Sequence, residues 1–131
     1  MEYETQSHCK YLIARHLILV VKYRKQLLQG NLGEFVKQKI SEIAERSEFN
    51  IEEIEVDKDH IHILLTISPT ICVVSYVRGI KQSTTQSLWS KFEWLKKPFW
   101  VEKTFWSDGY FVCSVGNAYA ETIRKYIQEQ G

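Results

Sequence analysis

The chain has 131 residues, enough for one domain that buries a core without disulfides or a structural metal. Its composition, 44% hydrophobic and 25% charged, is typical of an ordinary globular protein. The 3 cysteines show no CxxC spacing, which argues against a disulfide framework or a zinc ribbon and favours a reducing environment. No signal-peptide pattern opens the chain, and no apolar run approaches the ~20 residues of a membrane span. We therefore expect a cytoplasmic protein with no membrane partner.

The charges are distributed unevenly, although the net charge of +1 does not by itself indicate a partner that is a polyanion. Residues 10–25 carry five bases and no acid, and residues 78–103 carry six bases against two acids. Residues 34–59 instead carry nine acids against four bases. Such segments could form one basic face suited to a polyanion and one acidic face turned away from it. Charges that are simply scattered over the surface would give the same counts.

The first half of the chain predicts a strand, a helix and a hairpin. Residues 10–23, KYLIARHLILVVKY, are apolar and β-branched enough for a long first strand. Apolar residues at helical spacing predict a helix from Leu32 to Phe49. A second strand is predicted over residues 51–56. The turn sequence DKD at residues 57–59 then leads into a third strand, so we expect these two strands to pair.

The second half predicts a helix, two short strands and a last helix. Ser68 or Thr70 is expected to cap the second helix, which would end near Trp89. Residues 104–115 are predicted to form two short strands around an Asp-Gly turn. Asn117 is a good cap for a helix that reaches the end of the chain.

The predicted order is β-α-β-β-α-β followed by a C-terminal helix. This order is typical of an α+β fold, the ferredoxin-like or RRM-like antiparallel sheet with its helices on one face. We expect a single domain over residues 1–131, with residues 116–131 forming the C-terminal helix. The other sheet face is expected to be open, as in single-strand RNA-binding domains.

The third predicted strand, HIHILLTI, places two imidazoles on one side of the sheet. Because side chains alternate along a strand, His60 and His62 share a face with Leu64 and Thr66, while the other face is aliphatic. We expect the imidazoles on the open face. At this spacing they could bind one metal ion together, or they could be two polar residues exposed to solvent.

The last predicted helix carries a tyrosine and an amide one turn apart. Tyr126 and Gln130 continue an apolar stripe that begins with Tyr119 and Ile123. Packing on the core would explain Tyr126, but it leaves an amide at the end of an apolar stripe. Two imidazoles and an amide oxygen could instead bind a divalent ion that orients a phosphodiester for attack by the tyrosine. The phenol, with its pKa of ~10, would need positioning and help with deprotonation.

Taken together, these motifs resemble those of the single-tyrosine HUH transposases, small enzymes that move insertion sequences as single-stranded DNA. The segment at residues 60–62 fits the His-hydrophobic-His motif, and YIQEQ at residues 126–130 is similar to the family's nucleophile helix. Residues 105–116, FWSDGYFVCSVG, resemble the strand region ahead of that helix. KYR at residues 22–24 and YVRGIKQSTTQSLW at residues 76–89 also fit. The features follow the family order over nearly the whole chain.

The resemblance implies a mechanism and an assembly. Tyr126 would be the nucleophile, bonding to the 5′ side of the broken strand and releasing a 3′-OH. His60, His62 and Gln130 would hold Mg²⁺ or Mn²⁺, and imidazole suits Mn²⁺ better. The protein would be a homodimer that recognises DNA hairpins at the ends of the element. In several members the tyrosine helix of one subunit completes the other subunit's site, and Gly116 is a candidate hinge or an ordinary turn residue.

The remaining polar residues receive lesser roles. The candidates for contacts with the DNA backbone are Lys22, Arg24, Arg78 and Lys81. His16 lacks a partner in the sequence and is expected to be a structural or surface residue. Asp59 could orient the neighbouring imidazole, although its place in the turn also explains it.

Three alternatives differ in their chemistry. A sheet-based single-strand binding module without catalysis explains the fold but gives no reason for the two imidazoles, the tyrosine and the amide to converge. A histidine-triad hydrolase needs a third histidine where the chain has Leu64. A domesticated relative that processes DNA repeats would use the same chemistry as a transposase.

Overall fold

The computed structural model describes residues 5–6, 9–10, 13–97, 104–114 and 120–130 of the chain. Its centre is an antiparallel sheet of four strands, Ile13–Val20 (β1), Phe49–Asp57 (β2), His60–Ile67 (β3) and Phe111–Ser114 (β4). The spatial order is β2-β3-β1-β4, and every neighbouring pair is antiparallel. This arrangement confirms the predicted ferredoxin-like sheet.

In the described residues, three α-helices accompany the sheet. They are Gly30–Glu45 (α1), Val73–Lys91 (α2) and Ala120–Glu129 (α3). Short 3-10 turns lie at Lys22–Arg24 and Glu93–Lys96, and residues 5–6 pair antiparallel with residues 9–10 outside the main sheet. In the described part of the chain, no helix is both long enough and apolar enough to cross a membrane.

The main core lies between the sheet and the first two helices. Alternate residues of β1 and β3 face it, and α1 and α2 supply the opposing apolar side chains. The most buried members are Leu17, Leu19, Ile61, Ile63, Leu65, Val36, Ile40, Val77 and Ile80. Burial of a side chain of this size contributes about 1.5–3 kcal/mol, so this cluster fixes which face of β3 carries the imidazoles.

The first half matches the predicted elements with shifted boundaries. Strand β1 spans Ile13–Val20 and ends before the predicted residue 23, because residues 22–24 form a 3-10 helix. The first helix begins two residues before the predicted Leu32 and ends at Glu45. Phe49 opens β2 instead of closing the helix, because its ring is buried in the core 5.8 Å from the ring of Tyr76.

The predicted cap of the second helix is wrong. Ser68 and Thr70 hydrogen-bond each other through their hydroxyl groups, 3.0 Å apart, and the Thr70 N–H also donates to the Ser68 hydroxyl at 3.4 Å. These side chains therefore stabilise a turn ahead of the helix. The helix itself begins at Val73, after Cys72.

The hairpin predicted over residues 104–115 is also wrong, since β4 is the only strand among its described residues. The backbone of Trp106 makes a single antiparallel β-bridge to Val21, and its side chain is buried in the core. There the indole N–H donates a hydrogen bond to the hydroxyl of Thr84 at 2.9 Å. The next three carbonyls accept from the side chain of Lys81 instead of from a strand. The predicted cap Asn117 lies outside the described residues, and the described part of the last helix begins at Ala120.

Candidate active site

The candidate site lies on the sheet face opposite α1 and α2. Cross-strand partners in an antiparallel pair point to the same side, so the register identifies the neighbours of each imidazole. His62 lies between Ile18 of β1 and Glu55 of β2, and Phe111 of β4 follows on the far side of Ile18. We call this line of four residues the His62 row.

His60 occupies the next row on the same face. It lies between Val20 of β1 and Asp57 of β2. The prediction that both imidazoles share one face of β3 is therefore correct.

This face is not as open as the sequence suggested. Ile18 is fully buried and Val20 is 1% exposed, although neither belongs to the core beneath the helices. The third helix reaches the same face through Tyr126, whose ring centroid lies 5.5 Å from that of Phe111. A strip of apolar side chains on β1 and β4 would be costly to leave in water, which explains why part of the face is covered.

The acidic segment is not turned away from the imidazoles either. Glu55 and Asp57 are the cross-strand partners of His62 and His60, because β2 is the edge strand beside β3. The expectation of an acidic face turned away is therefore wrong for β2, whose Glu55 and Asp57 lie on the imidazole face. Counts of charged residues along the sequence could not reveal this position of the acids, because the counts do not say which residues pair across strands.

His60 is oriented by a carboxylate. Its Nδ1 lies 3.0 Å from Oδ1 of Asp59, and Oδ2 of the same carboxylate accepts from Nε of Arg24 at 3.3 Å. Burial alone would raise the pKa of Asp59, but the hydrogen bonds and charges of His60 and Arg24 outweigh it and lower this pKa. The ionised carboxylate fixes the ring and leaves Nε2 of His60 as the nitrogen for another ligand.

Arg24 reaches Asp59 from a strained turn. Tyr23 and Arg24 have φ angles of 60° and 53°, in the left-handed region that residues with a Cβ seldom adopt. Such conformations cost about 1–3 kcal/mol each and concentrate at functional sites. The turn is held by the Lys22 N–H, which donates to the carbonyl of Phe105 at 2.9 Å.

His62 contacts a histidine that the sequence did not connect with it. Its Nε2 lies 2.6 Å from Nδ1 of His16, and the ring centroids are 4.8 Å apart. Burial, followed by the charge of His16, lowers the pKa of His62, so the neutral imidazole is favoured. His16 is paired with Leu64, which puts it diagonal to His62 on the same face. The proximity of His16 to His62 can be predicted only when the register between β1 and β3 is known.

Tyr126 lies at the edge of the site with its hydroxyl group unsatisfied. The hydroxyl is buried and has no hydrogen-bond partner among the described residues. Burial raises the pKa of Tyr126, so the phenol remains protonated at neutral pH. A Cβ added to Gly109 would lie 3.5 Å from this hydroxyl, which places the glycine directly beside it.

Gln130 lies one turn beyond Tyr126, as predicted. Its side-chain nitrogen donates to the carbonyl of Tyr126 at 3.4 Å, which leaves the amide oxygen for another partner. The structure thus gives two pairs, Tyr126 with Gln130 on α3 and His60 with His62 on β3. The link between them runs through Phe111, which contacts Tyr126 and belongs to the His62 row.

The expected donor set combines imidazole nitrogens with an amide oxygen, which suits a divalent metal ion. Among the described residues, no group of three or more His, Cys, Asp or Glu side chains could hold a metal. The expected set has a different composition, two imidazoles and the amide of Gln130. His60, whose other nitrogen is held by a carboxylate, and the amide oxygen of Gln130 have the chemistry of metal ligands. The neutral imidazole of His62 has it too, but its Nε2 contacts His16, so an ion bound at that nitrogen would replace this contact.

The four basic candidates differ in their surroundings. Lys22 lies 3.6 Å from the exposed carboxylate of Asp108, and Arg24 is engaged with Asp59. Arg78 lines an open cavity of about 490 Å³ between α2 and the 104–110 segment. Lys81 lines the same cavity but directs its ammonium group to backbone carbonyls.

A family model described as Transposase IS200 like matches residues 9–130. The chain belongs to this family. It is 33% identical over 126 residues to the transposase for insertion sequence element IS200 of Salmonella typhimurium, covering 96% of this chain and 79% of that one. It is 29% identical over 120 residues to the ISDra2 transposase TnpA of Deinococcus radiodurans, covering 92% and 85%. The family implies DNA transposase activity, and the resemblance seen in the sequence is confirmed.

Solved structures agree on the fold. A crystal structure of a putative transposase from Deinococcus radiodurans has a TM-score of 0.89 and 28% identity, with 97% of each chain covered. A REP-associated tyrosine transposase, solved bound to a REP hairpin, has a TM-score of 0.57 and 16% identity over 94% of this chain and 68% of that one. At that identity the second comparison concerns the fold alone.

Proposed function

We propose that this IS200-like transposase cleaves and rejoins single-stranded DNA at insertion-sequence ends, with Tyr126 as the nucleophile. The observation that carries the proposal is the contact of Tyr126 with Phe111, in the same cross-strand row as His62. Packing over the apolar strip of β1 and β4 explains why a ring lies on this face, but it does not explain why the buried hydroxyl of Tyr126 has no hydrogen-bond partner among the described residues. The family assignment supports the substrate class.

In the proposed step, the phenol oxygen of Tyr126 attacks the scissile phosphorus. The O–H proton passes to water, a bond forms between the phenol oxygen and phosphorus, and the bond from phosphorus to the 3′ oxygen breaks. The 3′ oxygen takes up a proton and leaves as a 3′-OH. The 5′-phosphotyrosine ester conserves the bond energy, so a second 3′-OH can reverse the reaction and rejoin the DNA without ATP.

His60, His62 and Gln130 would hold the divalent ion, Mg²⁺ or Mn²⁺. When bound, the ion would polarise the phosphodiester and neutralise developing charge. Asp59 keeps His60 in one orientation, and His16 lies against His62. Since imidazole is a better ligand for Mn²⁺ than for Mg²⁺, we expect Mn²⁺ to bind more tightly.

The described arrangement suits a resting state. The hydroxyl of Tyr126 is buried without a partner, and burial raises its pKa. Deprotonation therefore needs DNA and the metal ion to change the surroundings of the phenol. We propose that binding of the DNA strand brings the scissile phosphate to this hydroxyl.

Recognition of DNA hairpins and assembly as a homodimer belong to the same proposal. A fold neighbour was solved with a REP hairpin, and Arg78, on an open cavity, is a basic residue suited to a phosphate contact. Whether α3 serves its own subunit or the partner is tested by mixing two inactive variants, Tyr126→Phe and His62→Ala. Exchange of the helix would restore activity in the mixed dimer, whereas a helix that stays with its own subunit would leave it inactive.

The direct test is covalent capture of DNA. Single-stranded oligonucleotides from the flanks of the gene are incubated with Mn²⁺ or Mg²⁺ and analysed on a denaturing gel. We expect a metal-dependent protein–DNA band that is lost in Tyr126→Phe and in His62→Ala. DNA binding without any covalent band, with either ion, would instead support a binding module without catalysis.

A further inference from the structure

Lys81 has surroundings that the proposed mechanism leaves unexplained. Its ammonium group donates three hydrogen bonds, to the carbonyls of Ser107 at 2.7 Å, Asp108 at 3.0 Å and Gly109 at 2.8 Å. A lysine ammonium has three N–H donors, so all of them are used. Burial also lowers the pKa of Lys81, as expected of an ammonium group withdrawn from water.

The three carbonyls belong to one irregular segment, residues 107–109. Three consecutive carbonyl dipoles that converge on one point repel one another, and the ammonium ion offsets this repulsion. The segment is otherwise attached at its start, where the Ser107 N–H donates to the carbonyl of Val20 at 2.8 Å. The exposed ion pair of Asp108 with Lys22 contributes little.

The last residue of this segment lies between Lys81 and the nucleophile. The carbonyl of Gly109 accepts a hydrogen bond from Lys81. On its other side, Gly109 lies beside the hydroxyl of Tyr126, because a Cβ built on this glycine would be 3.5 Å from the phenol oxygen. A shift of the segment would therefore move the surface on which the phenol rests. An error of about 1 Å in a reacting group can cost on the order of 10²-fold in rate.

We infer that Lys81 is a positioning residue, which holds residues 107–109 in the conformation that sets the place of the Tyr126 hydroxyl. The inference rests on the proposed function of Tyr126. It differs from a phosphate contact, because the ammonium group acts on the protein backbone and DNA affinity does not depend on it.

The test compares Lys81→Met with Lys91→Met, a matched change that removes a lysine from the same helix. The ammonium group of Lys91 lies 4.8 Å from the centre of the Phe35 ring. DNA affinity is measured over a range of salt concentrations, and the rate of covalent adduct formation is measured at saturating DNA and Mn²⁺. We expect Lys81→Met to keep the affinity and its salt dependence and to lose about 10- to 100-fold in adduct rate. Lys91→Met should keep both.

Two further measurements separate the explanations. 3-Fluorotyrosine at position 126 reports on the phenol by ¹⁹F NMR without DNA, and we expect its resonance to shift in Lys81→Met and to stay in Lys91→Met. Lys81→Arg, which retains donors and charge, should recover part of the rate. If Lys81→Met proves too unstable, Lys81→Arg is used for the same comparison, with a smaller loss of rate and a smaller shift.

The inference is overturned if the adduct rate and the resonance are both unchanged. It is also overturned if affinity falls and the salt slope decreases by about one, the signature of a lost phosphate contact. Failure of the proposed function looks different, since the wild type would form no adduct at all while the resonance still reported the contact.

Discussion

Removal of the Asp59 carboxylate should weaken metal binding without removing a ligand. In Asp59→Ala, the Nδ1 of His60 loses its acceptor at 3.0 Å, and the ring can rotate or change tautomer. Both side chains are largely buried, with 14% and 19% exposed, so water replaces the lost hydrogen bond poorly. Loss of such a carboxylate costs about 10- to 100-fold in metal affinity, equivalent to about 1.4–2.7 kcal/mol.

The assay is a Mn²⁺ titration followed by the EPR signal of the free ion. Arg24→Ala leaves the His60 contact intact and removes a half-exposed partner, so its effect should stay below about fivefold. Asp57→Ala is the matched control, because this exposed carboxylate is the cross-strand partner of His60 and carries the same charge. Wild-type affinity in Asp59→Ala, or an equal loss in Asp57→Ala, would refute the orientation argument.

Three further predictions concern stability. Thr84→Val removes the acceptor of the buried Trp106 indole N–H and should cost about 1–3 kcal/mol by urea denaturation; an unchanged midpoint would show that the indole finds another partner. Gly33→Ala should destabilise the fold, because the new Cβ would lie 3.2 Å from the backbone carbonyl carbon of Leu28. Gly79→Ala has open space around the new Cβ and should stabilise the helix by about 0.5–1 kcal/mol. A higher melting temperature for Gly33→Ala than for Gly79→Ala would contradict this description of the packing. Burial raises the pKa of Tyr126 above its ordinary value of ~10, so the stability from its neutral form is present below that value and lost as the pH rises through the folded pKa. As the pH rises above about 10, Tyr126→Phe should therefore lose less stability than the wild type, and parallel losses would contradict this sign.

The elements with strong periodicity were predictable from the sequence. The aliphatic face of β3 and its imidazole face follow from alternation, and the turn before it correctly predicted the β2–β3 hairpin. Residues 104–110 were not predictable, because their conformation depends on the side chains of Trp106 and Lys81 reaching across the fold. Such contacts leave no periodic pattern in the chain.

The candidate site divides in the same way. Strand alternation predicted that His60 and His62 share a face, and helix periodicity predicted that Tyr126 and Gln130 lie one turn apart on a helix. The contact of His16 with His62 depends on the register between two strands that lie far apart in the sequence. Long-range register, rather than the identity of the residues, was the missing information.

The central claim is that Tyr126 becomes joined to the 5′ phosphate of the cleaved strand. The most direct test uses one oligonucleotide labelled at its 3′ end and another labelled at its 5′ end, with tandem mass spectrometry of the protein–DNA product. We predict that the 3′ label stays with the protein, that the 5′-labelled fragment is released with a free 3′-OH, and that the modified peptide carries its nucleotide on Tyr126. Retention of the 5′ label, or a nucleotide on any other residue, would contradict the account.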